Sequence, residues 1–199
     1  MTCPHCQSAA TVERPDRFLQ RNLVFTHEAV QDWEAKLAPL LIEALRMKRH
    51  RAVRESWYVG ETYVRAQGQW QYLYRAIDRD GNFVDVRLSD TRDLAPAEAF
   101  FRSAWTVTGV TPDRITTDGH DAYPRVIRHV FGEQVIHRAN RYLNNYLEQD
   151  YQGVKQRYRP TGGLKTFAIA ERFCRVFEEV RAFLRPQSRR NQGLSLKQR

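Results

Sequence analysis

Two acidic residues stand where catalysis could be done. Asp118 closes the apolar run Ile115-Thr116-Thr117 and precedes Gly119, so a carboxylate sits at the tip of a predicted strand. Glu148 lies in a segment of helical texture, and Tyr151, Gln152 and Lys155 follow it at three, four and seven residues. That spacing puts an acid and a lysine able to bind phosphate on one helical face. Hard Mg²⁺ or Mn²⁺ ions take carboxylates that converge from separate segments as their ligands. Two such ions roughly 3.5–4 Å apart can open a phosphodiester, one activating the nucleophile and one stabilising the leaving oxygen. Taken singly, each residue also has a plain structural reading: an Asp in a strand-end turn, and a solvated Glu–Lys face.

The charge pattern narrows the partner. A net charge of +9 over 199 residues favours a polyanion. Residues 46–54 and 185–199 are basic and contain no acid, and between 123 and 160 seven Lys and Arg residues face three acids. One-signed runs suit backbone phosphates better than an ordinary solvated surface, which mixes signs. The candidate DNA contacts are Arg49, Arg51 and Arg54 in the first run, with Arg138, Lys155, Arg157 and Arg159 further on.

The elements that must position these residues follow from the pattern breaks. A helix is predicted over 27–47, where Val30, Trp33, Leu37, Leu40, Leu41 and Leu45 recur at three- and four-residue steps and Thr26 or His27 could cap. Aromatic and β-branched stretches at 57–65, 70–78 and 82–88 predict three antiparallel strands, the last two joined by an Asp80-Gly81 turn. In them Trp57, Trp70, Tyr72 and Tyr74 fit a packed sheet better than a base-stacking platform. A helix at 95–107 with Asp93 as a cap comes next, then a strand at 113–118, a helix at 121–131 and a strand at 134–137. Helices at about 142–158 and 166–185 close the pattern, the latter placing Phe167, Ala170, Phe173, Phe177, Val180 and Leu184 on one face. Periodicity alone gives a mixed α/β domain with helices on both faces of a sheet.

Three cysteines cannot build a disulfide framework, and no apolar run approaches the ~20 residues that span a bilayer. A cytoplasmic protein is expected. Cys3-Pro4-His5-Cys6 is half of a zinc ribbon, and no second C-x-x-C follows it. Zinc held by Cys3 and Cys6 is therefore not expected to complete a four-ligand site, and Cys174 reads as core.

The hairpin ETYVRAQGQWQYLYRAIDRDGNFVDVRLSDTRD, the run ITTDGHDAYP and the stretch IHRANRYLNNYLEQDYQGVKQRYRP together resemble the insertion sequence six family of DDE transposases. Upstream, LVFTHEAVQDWEAKLAPLL resembles the second half of that family's helix-turn-helix. The resemblance implies an RNase H-like α/β fold, with a mixed sheet of three antiparallel strands followed by helix, strand, helix, strand, helix. It also implies three regions: 1–54 as a truncated zinc-ribbon and helix-turn-helix region with a basic linker, 55–186 as the catalytic domain, and 187–199 as a basic tail. Asp118 and Glu148 take the second and third catalytic positions, the latter beside the Asn144-Asn145 pair, as ligands for Mg²⁺ or Mn²⁺. The implied partners are double-stranded DNA, in particular insertion-sequence terminal repeats, and further copies of the chain. No membrane is implied, and the expected location is the nucleoid.

The departures from the family pattern are equally specific. Where the family has an Asp in a W-x-x-D-E-T-Y pattern, this chain reads Trp57-Tyr58-Val59-Gly60-Glu61-Thr62-Tyr63. Gly60 cannot ligate a metal, and neighbouring Glu61 should point to the other face of the strand. Asp78 and Asp85, on adjacent strands, are weak substitutes. Tyr151 stands where the family usually has His or a basic residue, and the interval from Asp118 to Glu148 is shorter than the family's. These differences imply a transposase impaired in two-metal cleavage, or alternatively a non-catalytic or domesticated DNA-binding derivative.

Overall fold

The computed structural model describes residues 11–12, 25–49, 53–140, 145–158 and 164–185. The chain divides between Glu43 and Ala44 into two units. In the first, β1 (Thr11–Val12) pairs antiparallel with β2 (Phe25–Thr26). Helix α1 (His27–Met47) begins directly after, and Thr26 Oγ1 accepts from the Ala29 N–H at 3.1 Å. That bond satisfies one of the orphan donors of the first turn. α1 buries Ala38 and Ile42, whereas Trp33, Leu37, Leu40 and Leu41 are 42–61% exposed.

The second unit is built on a meander of β3 (Ser56–Ala66), β4 (Gln69–Asp78) and β5 (Phe83–Ser89). Gln67 and Gly68 join the first two strands with φ of 52° and 76°, the paired positive angles that match a two-residue turn to strand twist. Between β4 and β5 the Asp78 carboxylate accepts from the backbone N–H groups of Asp80 and Asn82 at 2.9 and 2.7 Å, and from Asn82 Nδ2 and the Arg54 N–H. Four donors hold Asp78, three of them from its own turn.

Helix α2 (Leu94–Thr108) is capped by Asp93, which accepts from the Ala95 N–H. Then follow β6 (Arg114–Thr117), α3 (Ala122–Phe131), β7 (Ile136–Ala139), α4 (Asn145–Tyr158) and α5 (Phe167–Leu184). The sheet runs β5-β4-β3-β6-β7, antiparallel across the meander and parallel from β3 through β7. α2 and α3 cover one face around Trp57, Val59, Tyr74, Phe100 and Ile115. α4 and α5 cover the other around Val64, Leu73, Val154, Ala170 and Cys174. No helix among the described residues is long and apolar enough to cross a membrane.

Three details differ from the sequence reading. The strand expected at 134–137 lies at 136–139, because its register is set by pairing to β6 (Ile115 with His137) and Val135 enters the core ahead of it. Trp70 is 60% exposed rather than core, and packs edge-on to Tyr63 near the turn that joins β3 to β4. Along α5 the deeply buried positions are Ala170, Cys174, Glu178 and Glu179, so the expected Phe row is only half-buried. Two acids hold the inner face because each has an arginine partner. Arg75 Nη2 donates to Glu178 at 2.8 Å, while Arg46 and Arg49 clamp Glu179 at 2.8 and 2.6 Å.

Candidate functional site

Parallel pairing of β3 with β6 aligns Ser56, Trp57 and Tyr58 with Arg114, Ile115 and Thr116. Continued by two residues, that register sets Gly60 level with Asp118. Adjacent strands lie about 4.8 Å apart, so a side chain at 60 would be an immediate neighbour of Asp118. Trp57, Val59 and Ile115 enter the core under α2 and α3. By strand alternation Tyr58, Gly60 and Asp118 therefore belong to the opposite face. Tyr58 packs there with Ile77 and with Leu147 and Tyr151 of α4. α4 thus crosses the face that Gly60 and Asp118 share, with the backbone of Glu148 in its first turn; the Glu148 side chain is outside the described set.

Asp118 is shaped by the end of β6. Its Oδ1 accepts from the His120 N–H at 3.4 Å, and Gly119 between them has φ +95°, a left-handed value that suits glycine. Beneath it Thr117 Oγ1 and His137 Nε2 lie 2.9 Å apart, tying β6 to β7. Burial holds the His137 imidazole below its ordinary pKa, so the neutral ring is favoured in this contact. His137 is structural here, while Arg138 beside it is exposed.

Glu61 points away from this face, as strand alternation requires. Its nearly buried carboxylate is held by Arg92, in the loop before α2. Two phenols lie in the field of both acids. The hydroxyls of Tyr123 and Tyr151 are buried with no hydrogen-bond partner. Burial first, and then the charges of Glu61 and Asp118, push the Tyr123 hydroxyl far above its usual pKa. Burial does the same to Tyr151, opposed by Arg75. Both remain neutral, and the hydroxyls can donate to an anion that reaches them. The Tyr151 contribution had no signal in the sequence beyond its being an unusual residue at its position.

Arg75 is the cross-strand partner of Gly60 and is almost fully buried. Asp78 and Asp85 are elsewhere engaged: Asp78 in its turn, and Asp85 with Ser103 Oγ at 2.5 Å and Arg46 at 3.4 Å. A pair of divalent ions needs several convergent oxygen ligands. Among the described residues no three His, Cys, Asp or Glu side chains gather into such a set, and Gly60 offers no side-chain oxygen at the level of Asp118. Of the positions at the level of Asp118, Gly60 can supply no ligand to a metal pair.

The basic candidates divide by placement. Arg49 is spent on Glu179, on the Val84 carbonyl at 3.0 Å and on the Phe83 ring. Arg54 is 61% exposed and pairs with Asp80 at 3.1 Å. Arg138 and Arg157 are exposed and Lys155 is half-buried. Arg51, Arg159, Cys3 and Cys6 lie outside the described residues, as does the 187–199 tail.

A family model described as "DDE domain" matches residues 54–187. The transposase for insertion sequence-like element IS431mec from Staphylococcus aureus (strain Mu50 / ATCC 700699) is 33% identical over 142 residues, 69% of this chain and 62% of the relative. The match spans less than two thirds of that relative's length. Among solved structures, the simian T-cell lymphotropic virus intasome in complex with PP2A regulatory subunit B56 gamma aligns with a TM-score of 0.51 at 12% identity, covering 69% of this chain and 57% of that one. The HTLV-2 integrase catalytic core domain in complex with magnesium, trimeric form, gives 0.50 at 13% identity, covering 68% and 88%. At such identities these likenesses carry the fold alone, and that fold is RNase H-like.

Proposed function

This chain belongs to the DDE transposases of the insertion sequence six family, and from that premise we propose a homo-oligomeric DNA transposase that engages insertion-sequence terminal repeats but is impaired in strand cleavage. The observation that carries the reading is Gly60, level with Asp118 on the face crossed by α4. Asp118 and Glu148 remain as the acids of the site, and Mg²⁺ or Mn²⁺ would be the ions they serve in an intact member. Arg54, Arg138, Lys155 and Arg157 neutralise DNA phosphates, joined by Arg51 and Arg159. The chain works in the cytoplasm, on the nucleoid. The same glycine favours a second reading, a DNA-binding derivative that competes for ends without cutting them.

A labelled duplex carrying matching terminal repeats tests the cleavage claim. With Mg²⁺ or Mn²⁺ the chain should nick it little or not at all, and Gly60→Asp should restore part of the activity. Misplacing a catalytic group by about 1 Å already costs on the order of a hundredfold, so a missing ligand should cost more. Robust nicking without repair would refute the impairment. Repaired activity that survives Glu148→Gln would show that another acid is the third ligand.

A further inference from the structure

We propose that α1 of one copy docks in the groove between α4 and α5 of a second copy, each chain giving its helix to the other. Two surfaces, each described on its own, fit one another. The first is the row Val30, Trp33, Leu37, Leu40 and Leu41 on α1, of which the last four are 42–61% exposed. Large apolar side chains repeating at helical spacing and left open to water mark a surface built for contact. Between His27 and Leu45 this helix carries four acids, Glu28, Asp32, Glu34 and Glu43, against Lys36 alone.

The second surface is a groove of about 800 Å³. Its apolar floor is the α5 row that includes Phe173, Phe177 and Leu184, with the two Phe rings stacked at 5.9 Å. Arg157 of α4, Arg181 of α5 and Arg185 just past its end line it, and none of the described lining residues is an acid. Gly153 keeps the α4 wall low: a Cβ there would approach the Arg181 guanidinium to 3.1 Å. Each apolar row runs for about three turns, roughly 16 Å at the helical rise. An apolar floor with a cationic lining is a receptor for an amphipathic helix whose other faces are acidic. This chain supplies one. A reciprocal exchange closes as a two-fold dimer and leaves no open end.

The inference deepens the self-association part of the proposed function and needs nothing of its cleavage part. Light-scattering masses of the full chain should be dimeric. Leu37→Asp with Leu40→Asp, at exposed positions, should halve the mass, and so should Leu184→Asp with Gln156→Asp, which line the groove, each with an unchanged circular dichroism spectrum. Mixing the two variants should return a dimer, because one intact helix then meets one intact groove. Single variants that unfold are replaced by Leu40→Ser and Leu184→Ser, for which the same complementation should hold as a rightward shift in dissociation concentration that mixing reverses. A dimer indifferent to all of these overturns the docking while sparing self-association; a monomeric parent chain overturns both. A mixture that stays monomeric overturns the exchange in favour of α1 pairing with α1. Loss of single-stranded DNA affinity in the groove variant, at unchanged mass, overturns it in favour of nucleic acid.

Discussion

Asp85 shows how a buried carboxyl can look catalytic and be structural. It is fully buried, accepts from Ser103 and lies 3.4 Å from Arg46. Desolvation outweighs those partners and raises its pKa above the ordinary 3.8. The folded chain therefore keeps this proton at pH values where the unfolded chain has released it. Its contribution to stability is greatest below the unfolded pKa and declines as pH rises through the folded one. Asn at this position cannot titrate and can still accept from Ser103. Urea midpoints of Asp85→Asn, measured from about pH 4 to pH 7, should gain on the parent chain as pH rises. A constant difference would show that Arg46 cancels the burial. In the sequence, Asp85 and Asp118 are equivalent acids near strands. What separates them is the partner set, which only the fold assembles; the motif around Asp118 and the glycine at 60 could be read beforehand because they sit inside a long family block.

The last helix repeats that lesson at the scale of an element. Its apolar residues correctly announced a helix, which spans Phe167–Leu184. They did not announce its orientation, because a periodicity argument places acids outside. Glu178 and Glu179 sit inside since Arg75 arrives from β4 and Arg46 and Arg49 from the end of α1. The same pairing draws Arg46 and Arg49 of the basic run at 46–54 into ion pairs of the fold itself. Both ends of the Arg75–Glu178 pair are almost wholly buried, with side-chain exposures of 3% and 1%. Breaking such a pair leaves an uncompensated charge, at about 3–5 kcal/mol. Arg75→Met should therefore destabilise the chain by about that amount in urea denaturation. Adding Glu178→Leu should recover most of the loss, since an apolar replacement of both partners is close to neutral. Equal losses in the single and double variants would mean that the bond is not what anchors α5 to the sheet.

For the molecule as a whole, the surplus of positive charge is only partly available to DNA. Arg49 holds Glu179, whereas Arg138 and Arg157 are exposed. Each phosphate contact contributes about −0.9 to the slope of log K against log salt on duplex DNA. Arg138→Ala and Arg157→Ala should each flatten the slope by about that much. Arg49→Ala should leave the slope alone and lower the urea midpoint instead. A flattened slope for Arg49→Ala would mean that this arginine leaves Glu179 when DNA binds. The sheet order carries a consequence of another kind, for the sequence of events in folding. β3, β4 and β5 are joined by short turns and can pair as soon as they are made, whereas β6 reaches β3 only after α2 has been threaded across a face. Closing that longer loop costs chain entropy before any contact rewards it. The level at which Asp118 meets position 60 is thus assembled late, on a meander already in place. Position 60 itself sits inside that meander, opposite Arg75 on β4, so Gly60→Asp should alter the early hairpin as well as the late meeting with Asp118.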